Sequence, residues 1–290
     1  MDSSINLVSF LCAPENRTQD LQVQPSSRKL ASKTLKIRFL LALERRVRNF
    51  KRKYAHILYA GKSVYCPICE QTFRKFKPAG RSKYKRPNSV CPKCAGRERD
   101  RVMHLFFAQK KDVLRRKRCR LLHVAPEPCV VPNLQDLATQ QYVSGDYVRD
   151  DVLIQFDIQE LPFSDESFEV VYCSHVLQAV EDDDKALVEI SRVLSSNGWA
   201  IVNVPCRGVS TREFHAGGDE EAPADFVRIY GSDFTEKLVQ KGFNVVPITM
   251  HEIASDEEQR MMCLSAESVG SIYLLQHPTQ SPDQFSERDE

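Results

Sequence analysis

Two matched pairs of cysteines carry the plainest chemistry in this chain. Cys66-Pro-Ile-Cys69 and Cys91-Pro-Lys-Cys94 read C-x2-C, then 21 residues, then C-x2-C. Each C-x-x-C puts two thiolates on one tight turn, and two such turns complete the tetrahedral sulfur set that Zn2+ prefers. No other ligand is needed, so the spacing predicts a closed, structural site at Cys66, Cys69, Cys91 and Cys94. A redox dithiol would need only one C-x-x-C, at the start of a helix. Between the pairs, Arg74, Lys75, Lys77, Arg81, Lys83, Lys85 and Arg86 alternate with Phe73, Phe76 and Tyr84. That mixture suits RNA phosphates and bases. It suits equally a solvated basic face on a small module that packs against an acidic one. So short a segment has little core of its own, and metal binding must supply much of its folding energy.

The elements that would position further chemistry lie on either side. Leu35 to Tyr59 repeats apolar residues at near-helical spacing among many Lys and Arg, which predicts a basic amphipathic helix over 35–60. Its bland reading is a helix packing its apolar stripe on the following domain. A second helix is expected over Val102–Arg116, closing a ribbon module at 61–117. From residue 118 strands and helices alternate. Strands are expected at Arg120–Ala125, Gln141–Gly145, Val152–Asp157, Phe168–Ser174 and Trp199–Val204, with late strands at Phe243–Met250 and Ser271–Gln276. Helices are expected at Glu127–Ala138, Asp183–Leu194, stopped by Asn197-Gly198, and Phe234–Lys241. This order argues for an α/β, Rossmann-like doubly wound sheet over 118–278, mostly parallel with an antiparallel edge pair.

Charge divides the chain at nearly the same point. Residues 1–120 carry 31 Lys/Arg against 8 Asp/Glu, and the remainder carry 10 against 31, although the net charge is only +2. The two parts should attract one another, or the basic part should hold a polyanion. Residues 1–34 and 279–290 are polar and without periodicity, and are expected to be tails. No run is apolar enough to span a membrane. Ten cysteines, several inside apolar runs, fit a reducing compartment with one metal site, hence a cytoplasmic location.

Leu161-Pro162-Phe163, Ser167-Phe168-Glu169-Val170-Val171, Ser174-His175-Val176-Leu177, Arg192-Val193-Leu194 and Asn197-Gly198-Trp199 occur in this order. Together they resemble the class I S-adenosylmethionine-dependent methyltransferases. Arg86-Pro87-Asn88, Arg99-x-Arg101, Leu122-His123-Val124-Ala125-Pro126-Glu127 and Val227-Arg228-x-Tyr230-Gly231 extend the similarity to a bacterial subgroup with a four-cysteine zinc ribbon. The resemblance implies a seven-stranded sheet with an antiparallel last strand and a cofactor at the carboxyl ends of the strands. On this chain the implied cofactor residues are Ala125, Pro126 and Glu127 after the first strand, Asp146 after the second, Asp157 and Ile158 after the third, and Ser174 after the fourth. Asp146 would accept the ribose hydroxyls, and Asp157 and Ile158 would read the adenine. Glu127 would pair with the cofactor's amino group. His175 is the candidate general base; its bland reading is a structural histidine. Asp146 and Asp157 each have a bland reading as turn residues. Asp182, Asp183 and Asp184 read as the acidic start of a helix. His215 and Asp225 are candidate lid residues.

Two departures from the family pattern stand out. The usual glycine-rich turn after strand one is replaced by the glycine-free His123-Val124-Ala125-Pro126-Glu127, so the usual backbone approach to the cofactor is not expected. Gln178-Ala179 and Phe226 stand where the pattern has Glu-His and His. The implied function is methyl transfer from S-adenosylmethionine to a small-molecule or glycan acceptor. Two alternatives remain: an RNA methyltransferase that holds nucleic acid with its basic half, and a catalytically silent binding protein with the same fold.

Overall fold

A computed structural model describes residues 46, 47, 50, 53–80, 85–115, 117–214 and 225–277. The chain divides into two compact units, Met1–Phe50 and Lys51–Glu290. The first contributes helical residues Arg46, Val47 and Phe50, with Val47 and Phe50 exposed. Most of the expected basic helix, both tails and His215 lie outside the described residues. Everything below belongs to the second unit.

The ribbon is two short antiparallel hairpins, one per cysteine pair. β1 (Val64–Cys66) pairs with β2 (Gln71–Phe73), and β3 (Lys77–Ala79) pairs with β4 (Arg86–Val90). Its core is Val64, Phe73, Phe76 and the buried Cys66 and Cys91. From the second knuckle the chain enters a helix, Glu98–Gln109, which breaks at Lys110 and resumes for one turn at Lys111–Leu114. The helix therefore starts earlier than its apolar pattern predicts, because its first turn is charged yet buried. Glu98, Asp100 and Arg101 are all within it and buried.

Seven strands follow in one sheet: β5 (Arg120–Val124), β6 (Gln141–Asp146), β7 (Ile154–Gln155), β8 (Phe168–Ser174), β9 (Leu194–Val204), β12 (Asn244–Ile248) and β13 (Ser271–Gln276). Two-residue strands β10 (Arg212–Glu213) and β11 (Arg228–Ile229) form a separate hairpin between them. The order across the sheet is β12-β13-β9-β8-β5-β6-β7. All neighbouring pairs are parallel except those of β13, which runs antiparallel to both β9 and β12. The reversed strand thus lies one place in from the edge. Its runs of buried residues, like those of β8 and β9, reflect a sheet covered on both faces. One face packs on helices Asp183–Val193 and Phe234–Gln240 through Leu187, Ile190, Phe234 and Leu238. The other packs on Glu98–Gln109 and Val131–Leu137 through Met103, Phe107, Leu134 and Trp199.

Several boundaries differ from the sequence pattern for physical reasons. The expected helix from Glu127 begins only at Val131, with a proline in its first turn, and β7 shrinks to two residues. Asn197-Gly198 does not stop the helix before it. The helix ends at Val193, β9 starts at once, and the register slips where Phe168↔Leu194 gives way to Val170↔Trp199. The pair therefore sits in an irregularity of the strand, a usual place for glycine. Three short capped helices, Met250–Ile253, Asp256–Met261 and Ala266–Val269, occupy the polar stretch between β12 and β13.

The acidic triplet also does more than start a helix. Asp182 is the N-cap, accepting from the Lys185 N–H at 2.9 Å. Asp183 is buried and accepts from the Tyr230 hydroxyl (2.8 Å) and the Lys237 ammonium (2.6 Å). Removing one partner of a buried ion pair costs about 3–5 kcal/mol. Asp183→Ala is therefore expected to lower unfolding stability by about 3 kcal/mol or more, read from denaturant titration.

Candidate functional site

The four predicted metal ligands converge. Their sulfur atoms all lie within 4.8 Å of one another, and Cys66–Cys94 and Cys69–Cys91 are 3.6 and 3.7 Å apart. A tetrahedral ion with about 2.3 Å metal–sulfur bonds sets sulfurs roughly 3.8 Å apart, so the donor set fits such an ion. Hydrogen bonds from Cys66 and Cys69 pull the Cys91 thiol down to about 7. Cys94 is also lowered, first by Cys129 and then by the other three cysteines. Cys129 itself comes from the other module and donates to the Cys94 carbonyl at 3.3 Å.

A cavity of about 450 Å³ opens at the carboxyl ends of β5, β6 and β8. Ala125, Asp146, Asp157, Ile158 and His175 all line it, as does Phe156. Pro126, Glu127 and Ser174 are not among its lining residues. Each has another task. The Pro126 carbonyl accepts from Arg149 Nη1 at 2.7 Å. Ser174 is buried, 3.5 Å from the Asn203 side-chain oxygen. Glu127 is buried and accepts from His123 Nε2 at 3.0 Å, while His123 Nδ1 shares a hydrogen bond with the Tyr142 hydroxyl at 2.8 Å. Burial works to raise the Glu127 carboxyl, but the His123 hydrogen bond and the nearby Arg99 guanidinium hold it below its ordinary value.

The glycine-free loop makes the turn that glycine usually makes. Ala125 has φ +51°, in the left-handed region, and its N–H donates to the Gly145 carbonyl at 2.7 Å. That conformation costs an L-residue about 1–2 kcal/mol. The His123–Glu127 bond and the Arg149 bond to Pro126 hold the loop there from both sides. Gly145 has its own reason: a Cβ there would meet the Phe156 ring at 1.9 Å, and Phe156 walls the cavity.

Both carboxylates cap turns and face the cavity. Asp146 Oδ1 accepts from the N–H groups of Val148 (2.9 Å) and Arg149 (3.0 Å). Asp157 Oδ1 accepts from the Gln159 N–H at 2.8 Å. The two readings of each aspartate are therefore compatible, since the turn orients the side chain.

His175 has φ +53° at the tip of β8, and its Nε2 lies 3.3 Å from the Val269 carbonyl. That nitrogen carries the proton, which leaves Nδ1 as the acceptor. Burial first, then the charges of Arg99, Arg86 and Arg97, keep the imidazole neutral well below its ordinary pKa. The rim beside it is pinned by Arg228, which donates to the carbonyls of Leu177 (3.1 Å), Val180 and Glu181 (2.8 Å) and to Glu213 (2.9 Å). Asp225 is exposed and is not among the residues lining this cavity. Val124, Tyr147, Gln159, Val176, Ala179, Val180 and Glu181 complete the wall, beyond the residues that the sequence pointed to. Proximity to the strand ends was the signal that could have found them.

The strand order, the reversed β13 and a cavity at the strand tips define a class I S-adenosylmethionine-dependent methyltransferase fold. A family profile described as "Methyltransferase domain" matches residues 112–202, from before β5 to within β9. The comparison with curated proteins finds no match. Similar solved structures include the YcgJ protein of Bacillus subtilis: 15% identity, 61% of this chain, 98% of that one, TM-score 0.40. A chain from the complex of the Haloferax volcanii Trm112 methyltransferase activator with a methyltransferase is 17% identical, over 62% and 94%, with TM-score 0.41. The Burkholderia thailandensis 1,6-didemethyltoxoflavin-N1-methyltransferase is 11% identical, over 60% and 76%, with TM-score 0.41. No helix among the described residues is long and apolar enough to cross a membrane.

Two outcomes follow from this geometry. Native mass spectrometry of the purified chain should find one metal ion. Cys66→Ser/Cys91→Ser should lose it and lower Tm by about 5 °C or more. His175 protonates in the unfolded chain near pH 6.5 but stays neutral when folded, so the unfolded state binds the extra proton. Stability should therefore fall as pH drops below about 6.5. His175→Asn should flatten that slope in denaturant titrations run from acid to neutral pH, asparagine tolerating the left-handed backbone.

Proposed function

We propose that this chain is an S-adenosylmethionine-dependent methyltransferase acting on a small-molecule or glycan acceptor, with Zn2+ held structurally by Cys66, Cys69, Cys91 and Cys94. The observation that carries the reading is one cavity lined at once by Ala125, Asp146, Asp157, Ile158 and His175, drawn from the tips of four strands or the loops beside them. Its volume lies within the range of small-ligand sites. Asp146 keeps Oδ2 for ribose hydroxyls because the turn occupies Oδ1. Asp157 and Ile158, with Phe156, offer a carboxylate and an apolar wall to an adenine.

When bound, S-adenosylmethionine would supply an electrophilic methyl group with a good leaving group, held by Ala125, Asp146, Asp157 and Ile158. The chain's own contribution is alignment and exclusion of water, which is where most of the acceleration in such a displacement arises. His175 offers Nδ1 as a hydrogen-bond acceptor that orients a hydroxyl or amine of the methyl acceptor; with its pKa held well below the ordinary value, it is a weak base for full proton transfer. The free state of every described cysteine agrees with a reducing, cytoplasmic setting. The excess of basic residues before residue 121 supports RNA as the competing acceptor.

Calorimetry of the metal-loaded chain with S-adenosylmethionine should show one site. Asp146→Asn keeps the turn-capping oxygen but removes a charged acceptor, and should weaken binding roughly tenfold. No heat at high cofactor concentration in the folded chain would reduce the protein to a silent scaffold.

A further inference from the structure

The sulfur cluster has a fifth thiol beside it. Cys129 sits on the turn at 128–130, after β5 and two residues past Glu127. Its Sγ donates to the Cys94 carbonyl at 3.3 Å, across 35 positions of chain, and lies within hydrogen-bonding reach of the Cys94 sulfur. Gly96 shows how closely the two sulfurs converge. A Cβ on that glycine would meet Cys94 Sγ at 3.3 Å and Cys129 Sγ at 3.6 Å. The Gly96 N–H also donates to Cys94 Sγ at 3.4 Å, which holds that sulfur on the side facing Cys129. The absent side chain therefore leaves one space that both sulfurs border.

This edge of the cluster is the one open to a small oxidant with a free thiol at hand. Cys66 and Cys91 are fully buried, whereas Cys94 and Cys129 are half-buried. Cys69 is half-buried too, but the sulfur next to it, at 3.7 Å, belongs to Cys91, another ligand. Cys66, 3.6 Å from Cys94, is likewise a ligand, so its lone pair is committed while the ion is bound. Cys129 is under no such commitment. Oxidation-sensitive cysteines combine thiolate character, access and a neighbouring resolving thiol. A metal-bound Cys94 is a thiolate, and Cys129 is the resolving group.

We infer that Cys94 and Cys129 form a peroxide-sensitive pair, in which oxidation joins the two sulfurs and opens the metal cluster. The inference rests on the cluster holding Zn2+ and is independent of the cofactor reading. The Cys94 thiolate attacks one oxygen of hydrogen peroxide; the O–O bond breaks, hydroxide leaves and Cys94 becomes a sulfenic acid. The Cys129 thiol then attacks the Cys94 sulfur. The S–S bond forms, the S–O bond breaks, and the hydroxyl departs as water with the Cys129 proton. Each sulfur gives one electron, and the peroxide takes both. The ion is left with three thiolates in place of four, so a closed site becomes an open one. A dithiol reductant returns both sulfurs to thiols by exchange and restores the fourth ligand. The new bond also ties the second knuckle covalently to the loop after β5.

The test uses the full Zn2+-loaded chain, treated with graded hydrogen peroxide in the presence of a chromogenic chelator. Remaining free thiols are then alkylated and the peptides mapped by mass spectrometry. Released Zn2+ and a Cys94–Cys129 disulfide should rise together, and dithiothreitol with added Zn2+ should restore full loading. Cys129→Ser should keep parent Tm and parent Zn2+ content. After peroxide its Cys94 should pass to the sulfinic acid, and reloading under dithiothreitol should fall about fivefold or more. Cys263→Ser, at another cysteine packed against the ribbon core, should behave as the parent does. Zn2+ release with Cys129 alkylated, or with a disulfide confined to Cys66, Cys69, Cys91 and Cys94, overturns the proposal. So does oxidation of Cys129 with Zn2+ retained, or reloading of Cys129→Ser equal to the parent's. A chain that purifies without metal yet forms the Cys94–Cys129 bond would remove the metal reading and leave the thiol pair.

Discussion

Arg99, Glu127 and His123 meet in a buried polar seam between the ribbon and the sheet, and the geometry of both candidate sites is anchored to it. Glu127 cannot be left there as an unpaired charge, because a lone buried carboxylate is far too costly. His123 at 3.0 Å and Arg99 at 3.7 Å answer that cost from two different elements, a central strand and the first turn of the helix leaving the second knuckle. The pairing holds the loop after β5 in its left-handed turn and fixes the helix against the sheet at once.

The neighbouring residues of that helical turn extend the seam into the ribbon. Arg101 is fully buried, donates from Nη1 to the carbonyls of Ser89 (3.0 Å) and Gly96 (3.1 Å), and lies over the Phe76 ring at 4.4 Å. Burial lowers its pKa, yet a guanidinium remains charged throughout. Asp100 Oδ2 accepts from the Arg97 N–H at 2.9 Å, closing the turn. A four-cysteine module too small for its own core thus gains its rigidity from two sources, the sulfur cluster and a helix whose other end is embedded in the sheet's apolar face. The opposite charges of the two parts of the chain meet here in one specific pair, Arg99–Glu127.

Rigidity at the strand tips fixes the lining of the cavity. Asp146 and Asp157 each tie one oxygen to a backbone N–H, so their orientation costs nothing further when a ligand arrives. Ala125 and His175 both hold left-handed backbones within the same wall. Strain of this kind persists only where the surroundings over-determine it. Here the surroundings are the His123–Glu127 bond on one side and, on the other, the His175 N–H donating to the Asn203 carbonyl at 2.7 Å.

The chain's own residue pattern determined the alternation of strands and helices, the four cysteines of the cluster and the acidic or imidazole groups at the ends of β6, β7 and β8. Those features are local: apolar runs of strand length and a spacing of two residues between cysteines survive in one dimension. Tertiary structure alone decided that Ala125 turns like a glycine, that Glu127 answers His123 and lines no part of the cavity, and that Asn197-Gly198 is a break inside a strand. It alone also set Cys129 beside Cys94, 35 positions away. A left-handed turn without glycine is held by contacts made from elsewhere, and two thiols from different modules meet only when the modules pack, so neither has a periodicity to read.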